Sequence, residues 1–438
     1  MGIAGIFIAI VVLFLLAYFG VPVLMLSILC SVIVALTNNM GVYTALSEVF
    51  LPGAADSFEL IFLMGIIGAV IAEFYKISGG ATAIAKGFLK ASNKVFGDNK
   101  SVVIPIIIIN VIGLVLCYGG INGVIAIIII MPIVLEIMKS YDLPRYLAPG
   151  IVVGATCTAA MTMPGSPQSQ NVIPSLYLET SATAGLIPGL IAGILVIILN
   201  ILIMTLLAKR VMNKGDHYED LPQMQAQVSD ENLPNFWISL IPMVATFIIY
   251  VVIGLNIVVA LVAGMLLCFV CFIRKINTFG LFCRTLTDGC MNSCGLLMIV
   301  CMLSGFGSVV AATDAFAVLC SGLMSIPGPA TFKVLIAMAV TVMVCGSGPA
   351  GEMAGITMFA ETFIGELGVN AAIFHRIAAF CGTCLDTLPS NAGVNIASKY
   401  SGYPIKKTYK YCFLTSVLTT SVGAVVVTVL LTAFPGLA

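Results

Sequence analysis

The stretch Thr162-Met-Pro-Gly-Ser-Pro-Gln-Ser-Gln-Asn171 constrains this chain more than any other. It is polar, it carries two prolines, and it lies between strongly apolar segments. Proline lacks a backbone donor and clashes with the preceding turn, so Pro164 and Pro167 must unwind the chain here. In lipid, unwound backbone is tolerated only where protein covers it or where it lines a watery cavity. A second break, Thr387-Leu-Pro389-Ser-Asn391 preceded by Asp386, follows 225 positions later in a chain of 438 residues. Two such breaks half a chain apart predict two halves with one site between them.

Composition supplies the membrane. Hydrophobic residues make up 60% of the chain and charged residues 9%, where a soluble domain carries about 25% charged residues. Mean hydropathy is +1.15. The expected fold class is an all-α polytopic membrane protein, because the apolar runs are too long for the roughly ten-residue strands of a β-barrel. A net charge of zero offers nothing to nucleic acid. The 14 cysteines lie mostly in apolar runs, and the pair Cys381 and Cys384 reads as small hydrophobes, so no metal and no cofactor is expected. No signal peptide is expected, since the first basic residue is Lys76.

Apolar windows near spanning length fall at about 3–19, 21–37 and 56–75, with an interfacial stretch near 40–52. Residues 76–100 alternate lysines with Phe, Ile and Leu, the pattern of an amphipathic surface helix. The windows 101–117 and 121–138 are separated only by Tyr118-Gly119-Gly120, which favours a re-entrant hairpin over a continuous helix. A helix at 146–161, the first break, a short segment to 178 and a span at 183–208 complete the first half. The second half repeats the order: spans at 236–253, 255–273 and 290–311, a less apolar stretch at 312–328, and a hairpin at 329–344 and 352–366. A helix at 371–385, the second break and a span at 411–433 follow.

Each half therefore contains five crossings, one of them the broken helix, plus one hairpin. An odd number of crossings makes the two halves inverted repeats. The first repeat is 1–208 (scaffold 1–100, hairpin and broken helix 101–208) and 209–235 is a cytoplasmic linker. The second repeat is 236–438 (scaffold 236–328, hairpin and broken helix 329–438). With the 76–100 helix on the cytoplasmic side, 17 of the 19 basic residues share that side, leaving Lys333 and Arg376. Both termini then face outside.

Inverted repeats, interrupted helices and a midplane site are the architecture of secondary transporters. No G-x-x-x-x-G-K-S/T sequence is present for nucleotide phosphates. An intramembrane enzyme would need a catalytic pair or H-E-x-x-H, yet the chain has only two histidines, one in the linker. Two occluding hairpins suit alternating access better than a channel. Broken helices and hairpin tips expose unpaired N–H groups and positive dipole ends, which hold a carboxylate without Lys or Arg. The polar inventory of Asn122, Thr162, Ser166, Gln168, Ser169, Gln170, Asn171, Ser347, Thr387, Ser390 and Asn391 suits a small hydroxylated anion. Gly119, Gly120, Gly165, Gly346 and Gly348 allow tight turning or close substrate approach.

Several of these residues resemble one family. Met161-Thr-Met-Pro-Gly-Ser-Pro-Gln-Ser-Gln-Asn-Val-Ile-Pro174 is similar to the P-G-S-P-Q-x-Q-N-x-I-P element of the gluconate:proton symporter (GntP-type) permease family. Tyr118-Gly-Gly120, His375-Arg-Ile-Ala378 and Leu385-Asp-Thr-Leu-Pro389 with Asn391 match in the family's order. Ser390 departs, since many members carry histidine there. The resemblance implies proton-coupled uptake of gluconate or related sugar acids and hydroxy acids, hydroxybutyrate-like ones included. It also implies the ion-transporter superfamily fold, in which a dimeric scaffold supports a transport domain that moves as an elevator in the bacterial inner membrane.

The ionisable candidates divide by position. Asp386 sits at the second break, as proton carrier, substrate-site partner or cap of the next helix. Glu352 follows the second hairpin tip and competes for the proton. Glu361 and Glu136 lie farther from the tips. His375 titrates near neutral pH in general, but it precedes the break by roughly 15 Å of helix, and a structural His-Arg anchor is favoured there. The nearest alternative is a sodium-coupled carboxylate transporter of the same superfamily.

Overall fold

The computed structural model describes residues 2–19, 21–96, 101–220, 233–345, 348–389 and 391–438. Gly346, Ser347 and Ser390, three of the site candidates, lie outside the described residues, as do Lys100 and the linker residues 221–232.

All regular structure among the described residues is helical, as it must be where a segment in lipid has to satisfy its own backbone groups. The first half holds α1 (Gly2–Tyr18), α2 (Val23–Thr37), α3 (Leu51–Ser78), α4 (Gly80–Phe96) and α5 (Val103–Tyr118). It continues with α6 (Gly123–Ser140), α7 (Ala148–Thr156), α8 (Ala159–Thr162), α9 (Ser169–Tyr177) and α10 (Leu186–Met212). The second half holds α11 (Phe236–Phe247), α12 (Ile257–Phe272), α13 (Phe279–Ala311), α14 (Asp314–Met324) and α15 (Ala330–Cys345). It ends with α16 (Gly348–Ala360), α17 (Ala371–Cys384), α18 (Ala392–Ser401), α19 (Ile405–Cys412) and α20 (Thr419–Ala433). Five segments, in α3, α6, α10, α13 and the α19–α20 stretch, are long and apolar enough to cross a membrane by length and composition.

Four elements differ from the sequence expectation. Residues 40–52 are largely a π-helical turn, Thr44–Phe50, that runs directly into α3. Helix α13 begins at Phe279, well before the expected 290. Thr278 Oγ1 caps it by accepting from Leu281 N at 3.2 Å, and Arg284 pairs with Asp288 at 3.4 Å one turn apart. The helix expected at 146–161 is interrupted: α7 ends at Thr156 and α8 starts at Ala159. The amphipathic segment 76–100 divides at Gly79 into the end of α3 and helix α4, whose Ala81 and Ile84 are buried in protein while Lys90 and Lys94 stay exposed.

The packing is reciprocal. Helices α3 and α13 cross along a long contact, with α2 against α13 and α12 against α3. Helix α5 folds back on α6 and α15 on α16, so the chain reverses after Tyr118 rather than continuing. Helix α7 lies on α5, and α17 on α15. The short helices then exchange: α9, after the first break, packs on α16, and α18, after the second, packs on α6. One apolar core surrounds α5–α7 and another surrounds α15–α17. A small third cluster, Ile61, Leu297 and Cys301, sits at the α3–α13 crossing.

Candidate functional site

The first break is built by side chains from elsewhere in the chain. Gly165 adopts φ +77°, a left-handed conformation that glycine accepts without a Cβ clash, and its N–H reaches Ala182 O at 2.9 Å. Ser166 Oγ donates to Ala160 O at 2.7 Å, and Asn171 Nδ2 donates to Ser166 O at 2.9 Å and Ala182 O at 3.0 Å. Arg376 of α17, fully buried, binds the outside of this knot. Its Nη1 donates to Thr162 O at 2.6 Å and Asn171 Oδ1 at 2.9 Å, its Nε to Ala184 O at 2.7 Å and its Nη2 to Ala182 O at 3.3 Å. His375 Nε2 lies 3.2 Å from Asn171 Oδ1 and its Nδ1 lies 2.6 Å from Thr180 Oγ1. A neutral ring that donates from Nε2 and accepts at Nδ1 satisfies both contacts.

A further interruption at Cys157–Thr158 left no proline or glycine in the sequence to mark it. Thr158 takes φ −132° and ψ −116°. Its Oγ1 donates to Gly154 O at 2.6 Å, and Asn200 Nδ2, from the middle of apolar α10, reaches the same carbonyl at 2.9 Å. The only sequence signal was a lone asparagine inside an apolar run.

At the second break the closing groups are carboxylic. Asp386 Oδ1 accepts from Gly348 N at 2.7 Å, and its Oδ2 accepts from Asn391 Nδ2 at 3.3 Å. Asn391 Oδ1 caps α18 by accepting from Gly393 N at 2.8 Å and Val394 N at 3.2 Å. Thr387 Oγ1 donates to Ser416 Oγ at 2.5 Å. Glu352 lies behind, in α16, with 0% exposure, and neither of its carboxyl oxygens meets a hydrogen-bond partner among the described residues. It occupies the space left by Gly382 of α17, where an added Cβ would come within 1.9 Å of Glu352 Oε1.

Between the breaks lies a cavity. Gly120, Asn122, Gln168, Asp386 and Asn391, all candidates from the sequence, line it together with Cys157, Ser169 and Gln170. The opposite wall is apolar apart from Ser293 and comes from α3 (Ile61, Met64), α12 (Leu261) and α13 (Leu297, Val300, Leu303). Gly348 is bonded to the cavity-lining Asp386. Gly119 packs against Met243 of α11, and Thr162, Gly165, Ser166, Asn171 and His375 belong to the Arg376 knot instead. Thr387 and Glu352 sit behind the lining. The polar rim consists largely of helix starts: Asn122 and Val124 at α6, Ser169 and Gln170 at α9, Pro349 at α16, and Asn391 and Ala392 at α18. No lysine or arginine lines the cavity among the described residues.

Comparison with known proteins gives three matches. The GntP family permease profile covers residues 1–255. YxjC, an uncharacterized transporter of Bacillus subtilis strain 168, is 23% identical over 461 residues, spanning 94% of this chain and 95% of its own. The crystal structure of the YdaH transporter of Alcanivorax borkumensis aligns with a TM-score of 0.53 and 12% identity, over 89% of this chain and 88% of that one. At that identity the likeness is one of fold.

Proposed function

Because the chain belongs to the GntP permease family, whose members are transporters and not enzymes, we propose that it couples proton entry to uptake of a small organic anion. Family and apolar helices together make it a multi-pass membrane protein and a secondary transporter. The anionic substrate is supported by one observation above the rest: four helix N-termini meet at a cavity that no described basic side chain lines. Each N-terminus carries roughly half a positive charge, so a carboxylate is the ligand such a rim favours, with Gln168, Asn122, Asp386 and Asn391 already holding the first N–H groups of α6, α16 and α18. The amide nitrogens of Asn122 and Gln170 meet no acceptor among the described residues and supply donors for substrate hydroxyls. Gluconate, a related sugar acid or a short hydroxy acid meets those requirements.

Coupling follows from Asp386, which shares the cavity with the anion. An ionised carboxylate about 6 Å from a substrate carboxylate repels it by roughly 3 kcal/mol at an effective dielectric near 20, about a hundredfold in affinity. Protonating Asp386 removes that repulsion, so proton and anion bind best together. Glu352 is the second proton site of the reading, since a buried carboxylate with no hydrogen-bond partner among the described residues is costly to keep ionised.

The reciprocal packing of α9 on α16 and α18 on α6 supports two inverted repeats. The smooth apolar wall of α3, α12 and α13 supports a scaffold along which hairpins and breaks move as one elevator body. Arg376 ties the first break to the second half's broken helix within that body. A homodimer built on 1–100 and 236–328, an inner-membrane location and external termini complete the proposal.

The test is uptake by the purified protein in liposomes, with gluconate, other sugar acids and 3-hydroxybutyrate offered under separate proton and sodium gradients. An inward proton gradient should accumulate at least one of these anions and a sodium gradient alone none. Accumulation by sodium with no effect of pH would refute proton coupling.

A further inference from the structure

In each half a side chain from a break reaches the first residue of the hairpin's returning arm, and in the first half Tyr118 OH adds a bond to Pro164 O at 3.1 Å. In the first half, Gln168 Oε1 accepts from Gly123 N, the start of α6, at 3.2 Å. Its Nε2 uses both hydrogens as well, donating to Cys117 O at 2.8 Å and Ile121 O at 2.9 Å on either side of the reversal. In the second half, Asp386 Oδ1 accepts from Gly348 N, the start of α16, at 2.7 Å. The receiving glycines correspond, 225 positions apart, while Gln168 follows the prolines of its break and Asp386 precedes the proline of its own, and the chemistry differs. An amide does not titrate, whereas a carboxylate changes both its charge and its donor count when it takes a proton.

We propose that Gln168 and Asp386 are paired positioning residues, Gln168 fixing α6 permanently and Asp386 holding α16 only while its carboxylate is ionised. The groups facing Asp386 are Gly348 and Glu352 of α16, Asn391 before α18 and Cys157 after α7. None of them is a cation, so among the described residues the carboxylate has no counter-charge to keep it ionised, and its bond to Gly348 responds to the proton. Hydrogen bonds to an ionised acceptor are about twice as strong as neutral ones. Taking the proton therefore admits the anion and loosens α16 from the break in one event, while α5 and α6 stay fixed. It follows that Gln168 is not a substrate ligand: both amide hydrogens and one acceptor position are already committed.

This inference rests on Asp386 as the protonated group of the proposed symport, and the two are separable by experiment. Hydrogen–deuterium exchange of the full-length protein in liposomes is compared between segments 348–353 and 123–128 of one sample, so the intrinsic pH dependence of exchange cancels in the ratio. In the wild type, that ratio should rise about tenfold from pH 8 to pH 5. In Asp386→Asn it should be independent of pH. In Gln168→Glu, the 123–128 segment should itself become pH-dependent, because ionised glutamate cannot donate to Cys117 O and Ile121 O. A pH-independent ratio in the wild type, or a wild-type response in Asp386→Asn, overturns the inference. Proton-driven uptake is scored separately on the same liposomes. A pH-dependent ratio without proton-driven uptake keeps the positioning pair and removes the symport reading.

Discussion

At the first break the groups that close the structure are amides, hydroxyls and one guanidinium, and their hydrogen-bond capacity is almost fully used. At the second they are two carboxyl groups, one accepting a short bond at one oxygen and a long one at the other, and one with no partner among the described residues. Both breaks have to satisfy unwound backbone in a dry surrounding, and the first does so in the least titratable way available. The second leaves acid groups where a proton changes the balance of forces. The contrast assigns stability to one region and response to the other, and substitutions can break or sharpen it in order of size.

Arg376→Ala should have the largest effect on stability. It strips donors from Thr162 O, Ala182 O, Ala184 O and Asn171 Oδ1 together, which costs about 3–5 kcal/mol in a buried network. Thermal unfolding in detergent should show a large drop; an unchanged midpoint would mean that the first break is held by something else. Gln168→Ala strips the side-chain partner from Gly123 N and Ile121 O and leaves Cys117 O with Gly120 N alone, and should cost about 2–3 kcal/mol by the same measurement. A mild effect there would erase the difference between the two hairpins.

Gly382→Ala should cost about 1–3 kcal/mol, because the new Cβ must displace the Glu352 carboxyl from a tightly packed contact. Combining it with Glu352→Ala should recover much of that loss, and the double variant is the check. Glu352→Gln should change stability by less than about 1 kcal/mol, since no hydrogen bond to a described residue is lost, yet it should weaken the pH dependence of uptake. Wild-type pH dependence in that variant would confine proton binding to Asp386.

The smallest effect belongs to the surface beyond both breaks. Asp142 accepts from Tyr218 N at 3.0 Å and pairs with His217 at 2.7 Å, and these contacts hold its carboxyl below the usual carboxylate range. The group is exposed, so the pair is worth under about 1 kcal/mol. A depressed carboxylate stabilises at neutral pH, and that contribution fades as the pH falls through its folded value, beneath the usual carboxylate range. Asp142→Asn should therefore lower stability slightly at pH 7 and progressively less as the pH falls through that value, read by the same unfolding curves.

How much of this was legible in the sequence depends on where each cause lies. Pro164, Pro167 and Pro389 act on their own backbone, so both breaks could be placed from residue types alone. Gly119 and Gly120 likewise marked the first reversal. The interruption at Cys157–Thr158 could not be placed, because the group that makes it tolerable is Asn200, in a different helix. The early start of α13 lies outside the apolar window at 290–311, in a turn where Arg284 and Asp288 pair across one helical turn. In the candidate site, Gln168 and Asn171 read equally as substrate donors. Only the distances show Gln168 committed to a hairpin and Asn171 to Arg376, which leaves Asn122, Gln170 and Asn391 nearer the cavity. Glu352 was visible as an acid after a glycine-rich tip, but its lack of a partner is a property of packing.

The central claim is that the second break carries the response to protons, and Asp386→Asn tests it most directly. Asparagine can still accept from Gly348 N–H, so unfolding should stay within about 1 kcal/mol of the wild type. With folding verified in this way, substrate accumulation in proteoliposomes is measured with and without an inward proton gradient. The variant should show no gain from the gradient where the wild type shows a large one. Gradient-driven accumulation equal to the wild type would contradict the claim.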